Sequence, residues 1–346
     1  MANTKGRIVS LDVFRGITIA LMILVNYDAS PNSYVLLNHA SWNGCTVADL
    51  VFPFFLFIVG VACTVSNNNA ENHDICEGRG SSRAKSIYKI LSRTLKLFLL
   101  GLFLNAFPNN FSLISIRYLG VLQRIAICYC FSALCCLKLS IKMQILIFIV
   151  LVSFYAFLLS LYPYTLDLSV IGIVDRWLLA PQHLYAGYAG RFEPEGLIST
   201  GSAIATTMLG NLTGYFLLST YFKTHKTSIL VFTGCLFIII GYGWSLWIPI
   251  NKALWTSSYV LFTGGISLVL LAACYFLIEI KQYTFWILPF KVFSANAILV
   301  YMLHMMVLKL QITTLLYHQD GIVENVRQFI IQHFFGWTSA ANGYLL

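Results

Sequence analysis

Long apolar stretches separated by short polar ones constrain this chain more than any motif does. Hydropathy places them at 8–28, 47–66, 87–107, 118–138, 142–162, 198–219, 228–248, 257–278 and 290–311, with a weaker candidate at 326–346. Each is close to the ~20 residues that a helix needs to cross a bilayer. The runs are continuous, not ten-residue alternations between turns, so the spans are predicted to be helices and not barrel strands. A composition of 58% hydrophobic and 10% charged residues agrees. The fold class expected is an all-α, polytopic transmembrane helix bundle of about 10 spans, forming one domain over 1–346. A flexible cytoplasmic loop is expected at about 67–86 and a long non-cytoplasmic loop at about 163–197.

The net charge of +9 raises the question of nucleic acid, but the cations are scattered through short loops with no basic face or arm. With the N-terminus in the cytoplasm, the cytoplasmic loops receive Lys5, Arg7, Arg79, Arg83, Lys85 and Lys89, together with further lysines at 138, 142, 223, 226 and 281. The opposite side receives Arg117, Arg176, Arg191 and Lys252, with Arg327 near the boundary. This bias predicts an N-in orientation and puts the loops of His39, of 163–197 and of Asn251 on one non-cytoplasmic face. The nine cysteines are odd in number and mostly lie in apolar runs, so they read as small buried hydrophobes, with no disulfide framework and no metal site. The first apolar run lacks a small-residue cleavage site and is read as a retained helix. No internal repeat supports an inverted-repeat transporter.

Polar residues at the mouths of spans are costly and carry the functional hypotheses. In NHASWNGCTVADLVFPFFLFIVG (38–60), His39 is the candidate general base, since an imidazole takes and returns protons near neutral pH. Trp42 and Asn43 flank it as candidate substrate contacts. Asp49 either orients His39 or caps the following helix, because Thr46 and Asp49 have capping-box spacing. Asn26, ending the first span beside Asp28, either donates to an oxyanion or satisfies a helix-end carbonyl. Arg15 shares a helix face with Asp12, as an ion pair or as a contact for an incoming phosphate. Arg124 sits inside the fourth span and requires an acid or an aqueous cavity as partner. In the long loop, Asp175, Trp177 and Glu195 are the kind of aromatic and acidic groups that hold a sugar, although an interfacial aromatic belt would also explain the tryptophan. Asn251, on the same face, is a further substrate candidate. Asn296 and His304 lie within the last strong span, where His304 serves a proton path or an interhelical hydrogen bond.

Taken together, SLDVFRGITIALMILVNY, HASWNGCTVADLVFPFFLFIVG, LGVLQRIA, DRWLLAPQHLY, FEPEGLISTGSAIATTMLG, NKALWTSSYVLFTGG and PFKVFSANAILVYMLH resemble, in order and over nearly the whole chain, the heparan-α-glucosaminide N-acetyltransferase family, especially its compact bacterial members. The resemblance implies a membrane acetyltransferase that moves acetyl from cytosolic acetyl-CoA, its co-substrate, to the amine of a glucosamine-type sugar across the membrane. It implies His39 as the catalytic histidine, Asn26 as its companion, and a homodimer. Arg15, Arg124 and Asn296 are then the candidate cofactor contacts. The chain starts almost at its first span, which directs the expected acceptor toward a small amino sugar or the end of a cell-wall glycan. The expected location is the bacterial inner membrane, with the lipid bilayer as partner and neither nucleic acid nor metal involved. Two other readings remain: an amino-sugar transporter gated by the same loops, and an O-acetyltransferase of a cell-surface glycan.

Overall fold

Residues 8–27, 37–76, 83–108, 111, 115–220, 225–317 and 323–330 are described by a computed structural model, with the side chains of Tyr27, 70–76, Tyr317 and Val323 excepted. Each expected apolar stretch from 8 to 311 is helical. In chain order the main helices are α1 (Val9–Tyr27), α2 (Val47–Cys76), α3 (Arg83–Ala106), α4 (Val121–Lys138) and α5 (Ile141–Ser160). A short helix, α6 (Val170–Leu178), precedes α7 (Leu197–Leu218), α8 (Lys226–Trp244) and α9 (Ser257–Tyr275). The chain then forms α10 (Leu288–Ala295), α11 (Ala297–Thr313) and α12 (Val326–Ile330). Two three-residue strands, β1 (Leu315–Tyr317) and β2 (Val323–Asn325), pair antiparallel between α11 and α12. The molecule is an integral membrane protein built as a helix bundle.

On length and composition alone, six of the described helices are able to cross a membrane, or up to seven if α10 and α11 count as one bent span. The expected count of about 10 is thus not reached among the described residues. Helix α3 carries Lys89, Arg93 and Lys96, and α7 is rich in Ser, Thr and Gly, which lowers the apolar signal of both. Residues 331–346 of the last candidate, and Asp28, lie outside the described residues. Two boundaries also differ from expectation. Helix α2 does not stop at 66 but continues through the polar asparagines to Cys76, so most of the expected loop at 67–86 is helical. The single span expected at 290–311 is broken at Asn296, with α10 and α11 at 83° to each other. Asn296 has φ −122° and ψ 37°, outside the helical well, and its carbonyl accepts the first α11 bond from the Val300 N–H at 2.9 Å.

Helices α2 and α7 cross closely. A Cβ at Gly60 would collide with the Thr207 carbonyl, and one at Gly210 with that of Phe57. Small residues let two backbones approach where apolar burial gives helices little reason to associate. Polar side chains add to the same junction. Ser132 donates to Asn211 Oδ1 at 2.6 Å, and Asn211 Nδ2 donates to Gln144 Oε1 at 3.3 Å, joining α4, α5 and α7 within the bundle. At the start of α1, the Ser10 N–H donates to Glu279 Oε1 at 3.1 Å, so a distant carboxylate satisfies one of the orphan donors of that helix.

Candidate active site

The segment 37–46 enters α2 through a tight turn at Gly44, whose φ of +113° is open to glycine and strained for other residues. The Gly44 N–H donates to the Ile250 carbonyl at 2.7 Å, and Asn251 Nδ2 donates to Asn43 Oδ1 at 3.1 Å. Asn251 also accepts the Leu254 N–H at 2.8 Å through Oδ1 and is fully buried. These bonds fasten 37–46 to the connection between α8 and α9. They place Lys252 beside a histidine 213 positions away in the chain.

The centre of the arrangement is Asp49, whose two oxygens do different work. Oδ2 accepts from the Ala40 N–H at 3.0 Å, the Thr46 N–H at 3.1 Å and the Thr46 hydroxyl at 3.1 Å, which caps the start of α2. Oδ1 accepts from His39 Nδ1 at 2.8 Å and pairs with Lys252 Nζ at 3.3 Å. The cap and the His-orienting arrangement are therefore both present, on separate atoms. A carboxylate at 2.8 Å selects the tautomer with the proton on Nδ1, which leaves the Nε2 lone pair of His39 free for chemistry. Lys252 Nζ also lies 3.2 Å from Nδ1, balancing the buried carboxylate.

This group stands at one end of a cavity of about 1080 Å³. One face of α2 lines it from Ala48 to Asn67, a length of about 28 Å at 1.5 Å per residue, which is close to the thickness of the hydrocarbon core. Near the His39 end it is bordered by Asn26, Trp42, Arg117, Tyr188 and Glu195. Toward the end of α2 it is bordered by Arg15, Lys89, Arg93, Ser294 and Asn296. Arg15 pairs with Asp12 Oδ1 at 3.5 Å and donates to Ser294 Oγ at 3.4 Å, so the ion pair read from the sequence exists and opens on the cavity. Asn26 Nδ2 makes a 3.1 Å hydrogen bond to His304 Nε2 and a long contact to Met305 Sδ at 3.8 Å, so His304 joins α1 to α11.

Trp42 donates from Nε1 to the Tyr164 carbonyl at 2.7 Å and packs edge-on against Tyr188 and Phe192. Through it, the segment after α5 closes over the site. Glu195 shares the guanidinium of Arg117 with the fully buried Glu193, and that guanidinium lies 4.6 Å from the Tyr185 ring centre. Burial pushes the Glu193 carboxyl up, with Arg117 only partly offsetting it. At Glu195 burial acts in the same sense, but Arg117 and Arg124 outweigh it and hold that carboxyl below its usual range. One of two carboxylates sharing one cation thus keeps its charge at the cavity wall.

Five predicted residues fall outside the cavity lining: Arg124, Asp175, Trp177, Asn43 and Asn251. Arg124 is buried and donates to the Pro194 carbonyl at 2.7 Å, the Gly196 carbonyl at 3.4 Å and the Ser199 hydroxyl. Its guanidinium also lies 5.0 Å from the Trp255 ring centre, so its bonds support the FEPEG turn, away from the cavity lining. Asp175 is fully buried, accepts the Leu197 N–H at 3.2 Å and packs its other oxygen against Gly196; burial pushes its carboxyl up to about 6. Trp177 points away from the site and is 82% exposed. Asn43 and Asn251 position loops, as described above. The sequence reading assigned no site role to Lys252, Arg117, Lys89 or Arg93. The last two had a visible signal in cations spaced four apart on one helix. Among the described residues, no group of three or more His, Cys, Asp or Glu side chains is arranged to hold a metal ion.

Fold and site together define a polytopic membrane protein with a bilayer-deep cavity, a His–Asp–Lys group at one end and a cluster of cations at the other. The family profile described as heparan-alpha-glucosaminide N-acetyltransferase, catalytic, matches residues 7–185, which include His39 and Asp49. Curated proteins named heparan-alpha-glucosaminide N-acetyltransferase align with most of the chain. The Homo sapiens protein is 31% identical over 86% of this chain and 52% of its own length, and the Mus musculus protein 28% identical over 87% and 54%. The chain belongs to the heparan-alpha-glucosaminide N-acetyltransferase family, and it spans about half the length of the curated relatives it matches.

Proposed function

We propose that the protein is an acetyltransferase that moves acetyl from cytosolic acetyl-CoA to the amine of a glucosamine-type sugar on the opposite, periplasmic side of a bacterial inner membrane. The observation that carries this reading is one cavity joining the His39–Asp49 pair to the cations of α1 and α3 through the depth of the bundle. In this reading the phosphates of the donor lie against Lys89, Arg93 and Arg15, and its pantetheine arm lies along α2. The thioester then reaches His39. With the N-terminus cytoplasmic, as loop charge suggests, the cationic end faces the compartment that supplies acetyl-CoA.

The acceptor enters beside Trp42 and Glu195, where a carboxylate and aromatic faces suit an ammonium and a pyranose ring. His39 Nε2 takes a proton from the amine as its nitrogen attacks the thioester carbonyl carbon. The N–C bond forms, the C–S bond breaks, and the proton passes on to the departing thiolate of CoA. Asn26 has one amide hydrogen on His304 and its other nearest partner is a thioether, a weak acceptor. That second hydrogen is the one to donate to the oxyanion, replacing a poor partner with a charged one.

Purified protein carrying His39→Ala, assayed for acetyl transfer to glucosamine, tests this directly. Loss of transfer with donor binding retained is the expected result, and transfer near the wild-type rate would remove His39 from the mechanism. A burst of free CoA without acceptor would replace direct attack by an acetyl-imidazole route. Sugar flux into liposomes without acetyl-CoA would favour transport instead, and product analysis separates N- from O-acetylation.

A further inference from the structure

Helix α6 is too short to cross a membrane, and its two faces differ sharply. Ser169 caps it by accepting the Gly172 N–H at 3.2 Å, which fixes its start and orientation. On its inner face, Val170 and Ile171 join Tyr155 and Leu159 from the last turns of α5, and Ile248 from just past α8, in one buried cluster. The outer face presents Ile173 and Trp177, one helical turn apart, with Leu168 and Leu178 beside them, all exposed. Trp177 at 82% exposure is among the most exposed large apolar side chains of the molecule.

This apolar face adjoins the outward-facing apolar side chains at the ends of two candidate membrane spans. Phe154, Phe157 and Leu161 project outward along the last turns of α5, and Leu246 and Trp247 do so just past α8, at 79% and 74% exposure. The shared cluster places α6 against the ends of both spans, at the level where hydrocarbon gives way to headgroups. Tryptophan favours that level because its ring is apolar and its N–H is polar. Arg176, next in sequence to Trp177, turns back to donate to the Asp167 and Arg191 carbonyls, which keeps a cation off the apolar face.

We propose that α6 is an interfacial helix whose outer face, Ile173 and Trp177 with Leu168 and Leu178, lies in the headgroup–acyl boundary of the membrane, with phospholipid as its partner. The inner face of the same helix carries Asp175, which holds the Leu197 N–H and packs on Gly196. The turn bearing Glu195 is thereby fastened to a lipid-seated element, independently of what the site binds. An amphipathic helix of this kind buries its apolar face about 5–10 Å into the boundary.

The test is tryptophan fluorescence of the full-length protein in lipid nanodiscs containing phosphatidylcholine spin-labelled either high on the acyl chain or near its methyl end. The chain has seven tryptophans, so the reporter is the difference between wild type and Trp177→Phe. That difference should be roughly halved by the shallow label, changed less by the deep one, and weakly quenched by aqueous iodide. A second reporter, Ile173→Trp in the otherwise wild-type chain and read as its difference from wild type, should behave the same way and covers a failure of Trp177→Phe to fold. Full iodide quenching with no response to labelled lipid would overturn the proposal. Protection from both quenchers that depends on the number of copies per disc would also overturn it, in favour of a second copy of the chain.

Discussion

Replacing Asp49 by Asn changes one atom at the point where folding and chemistry share a side chain. Three hydrogen-bond donors converge on Oδ2, from Ala40 and Thr46. Asn keeps its single carbonyl oxygen there, because turning its NH2 toward three donors would leave all of them unmet. The cap thus survives, at a cost of about 1 kcal/mol or less. The NH2 then faces His39 Nδ1, where Asp49 Oδ1 stood 2.8 Å away. A donor at that place reverses the tautomer: Nδ1 becomes the acceptor, and Nε2, the base of the proposed mechanism, carries the hydrogen. The base is lost and the protein remains folded. General base catalysis contributes about 10²- to 10⁴-fold, so kcat/KM should fall by that factor, about 2.7–5.4 kcal/mol of transition-state stabilisation. The assay is release of free thiol from acetyl-CoA in the presence of glucosamine, with thermal unfolding measured on the same sample. A variant within about threefold of wild type, well below the range for base loss, would refute the tautomer argument. A variant that loses activity only in proportion to its folded fraction would refute it equally.

Other substitutions separate neighbouring roles. Arg93→Ala and Lys89→Ala should each raise the KM for acetyl-CoA about tenfold or less, as expected for partly solvated charge contacts, with the KM for sugar little changed; substrate titrations read this out. Arg124→Met should leave donor KM unchanged in the folded fraction but lower stability by about 1–3 kcal/mol, since the Pro194 carbonyl loses its 2.7 Å bond and keeps only a 3.4 Å one from the Ser199 hydroxyl; thermal melts measure it. The Asp175 carboxyl rises from 3.8 to about 6 on folding. A raised acid contributes stability that is present below its unfolded pKa and is lost as pH rises through the folded one. At about 1.4 kcal/mol per tenfold, the loss approaches about 3 kcal/mol by neutral pH. Asp175→Asn should therefore raise the melting temperature above pH 6, with the gain fading toward pH ~4.

The spans were legible because hydrocarbon imposes one rule on every segment that crosses it. The break at Asn296 was not, since hydropathy sums over a window and is blind to a single residue leaving the helical well. The extension of α2 through three asparagines was missed because propensity reads them as loop, whereas continuing from an existing helix costs less than starting one. At the site, His39 is readable from a polar cluster placed where polarity is costly, whereas the sequence leaves Asp49 open between orienting His39 and capping α2. Lys252 is legible in the sequence as sharing their side of the membrane, but its contacts with His39 and Asp49 depend on the Asn43–Asn251 bond that fastens the two loops together. Arg124, Asp175 and Asn251 were assigned to ligands for a common reason: a buried polar side chain that serves a backbone carbonyl or amide has the same appearance in sequence as one waiting for a substrate.

The long cavity face of α2 has a consequence for which molecules the protein is able to use. A compound that touches both the cations of α3 and the imidazole at the far end must be about as long as that face, some 28 Å. A short activated acyl compound, however reactive, reaches one end or the other and never both. In the proposed reaction the helix would therefore act as a gauge, sorting donors by reach before any group at either end distinguishes them by kind.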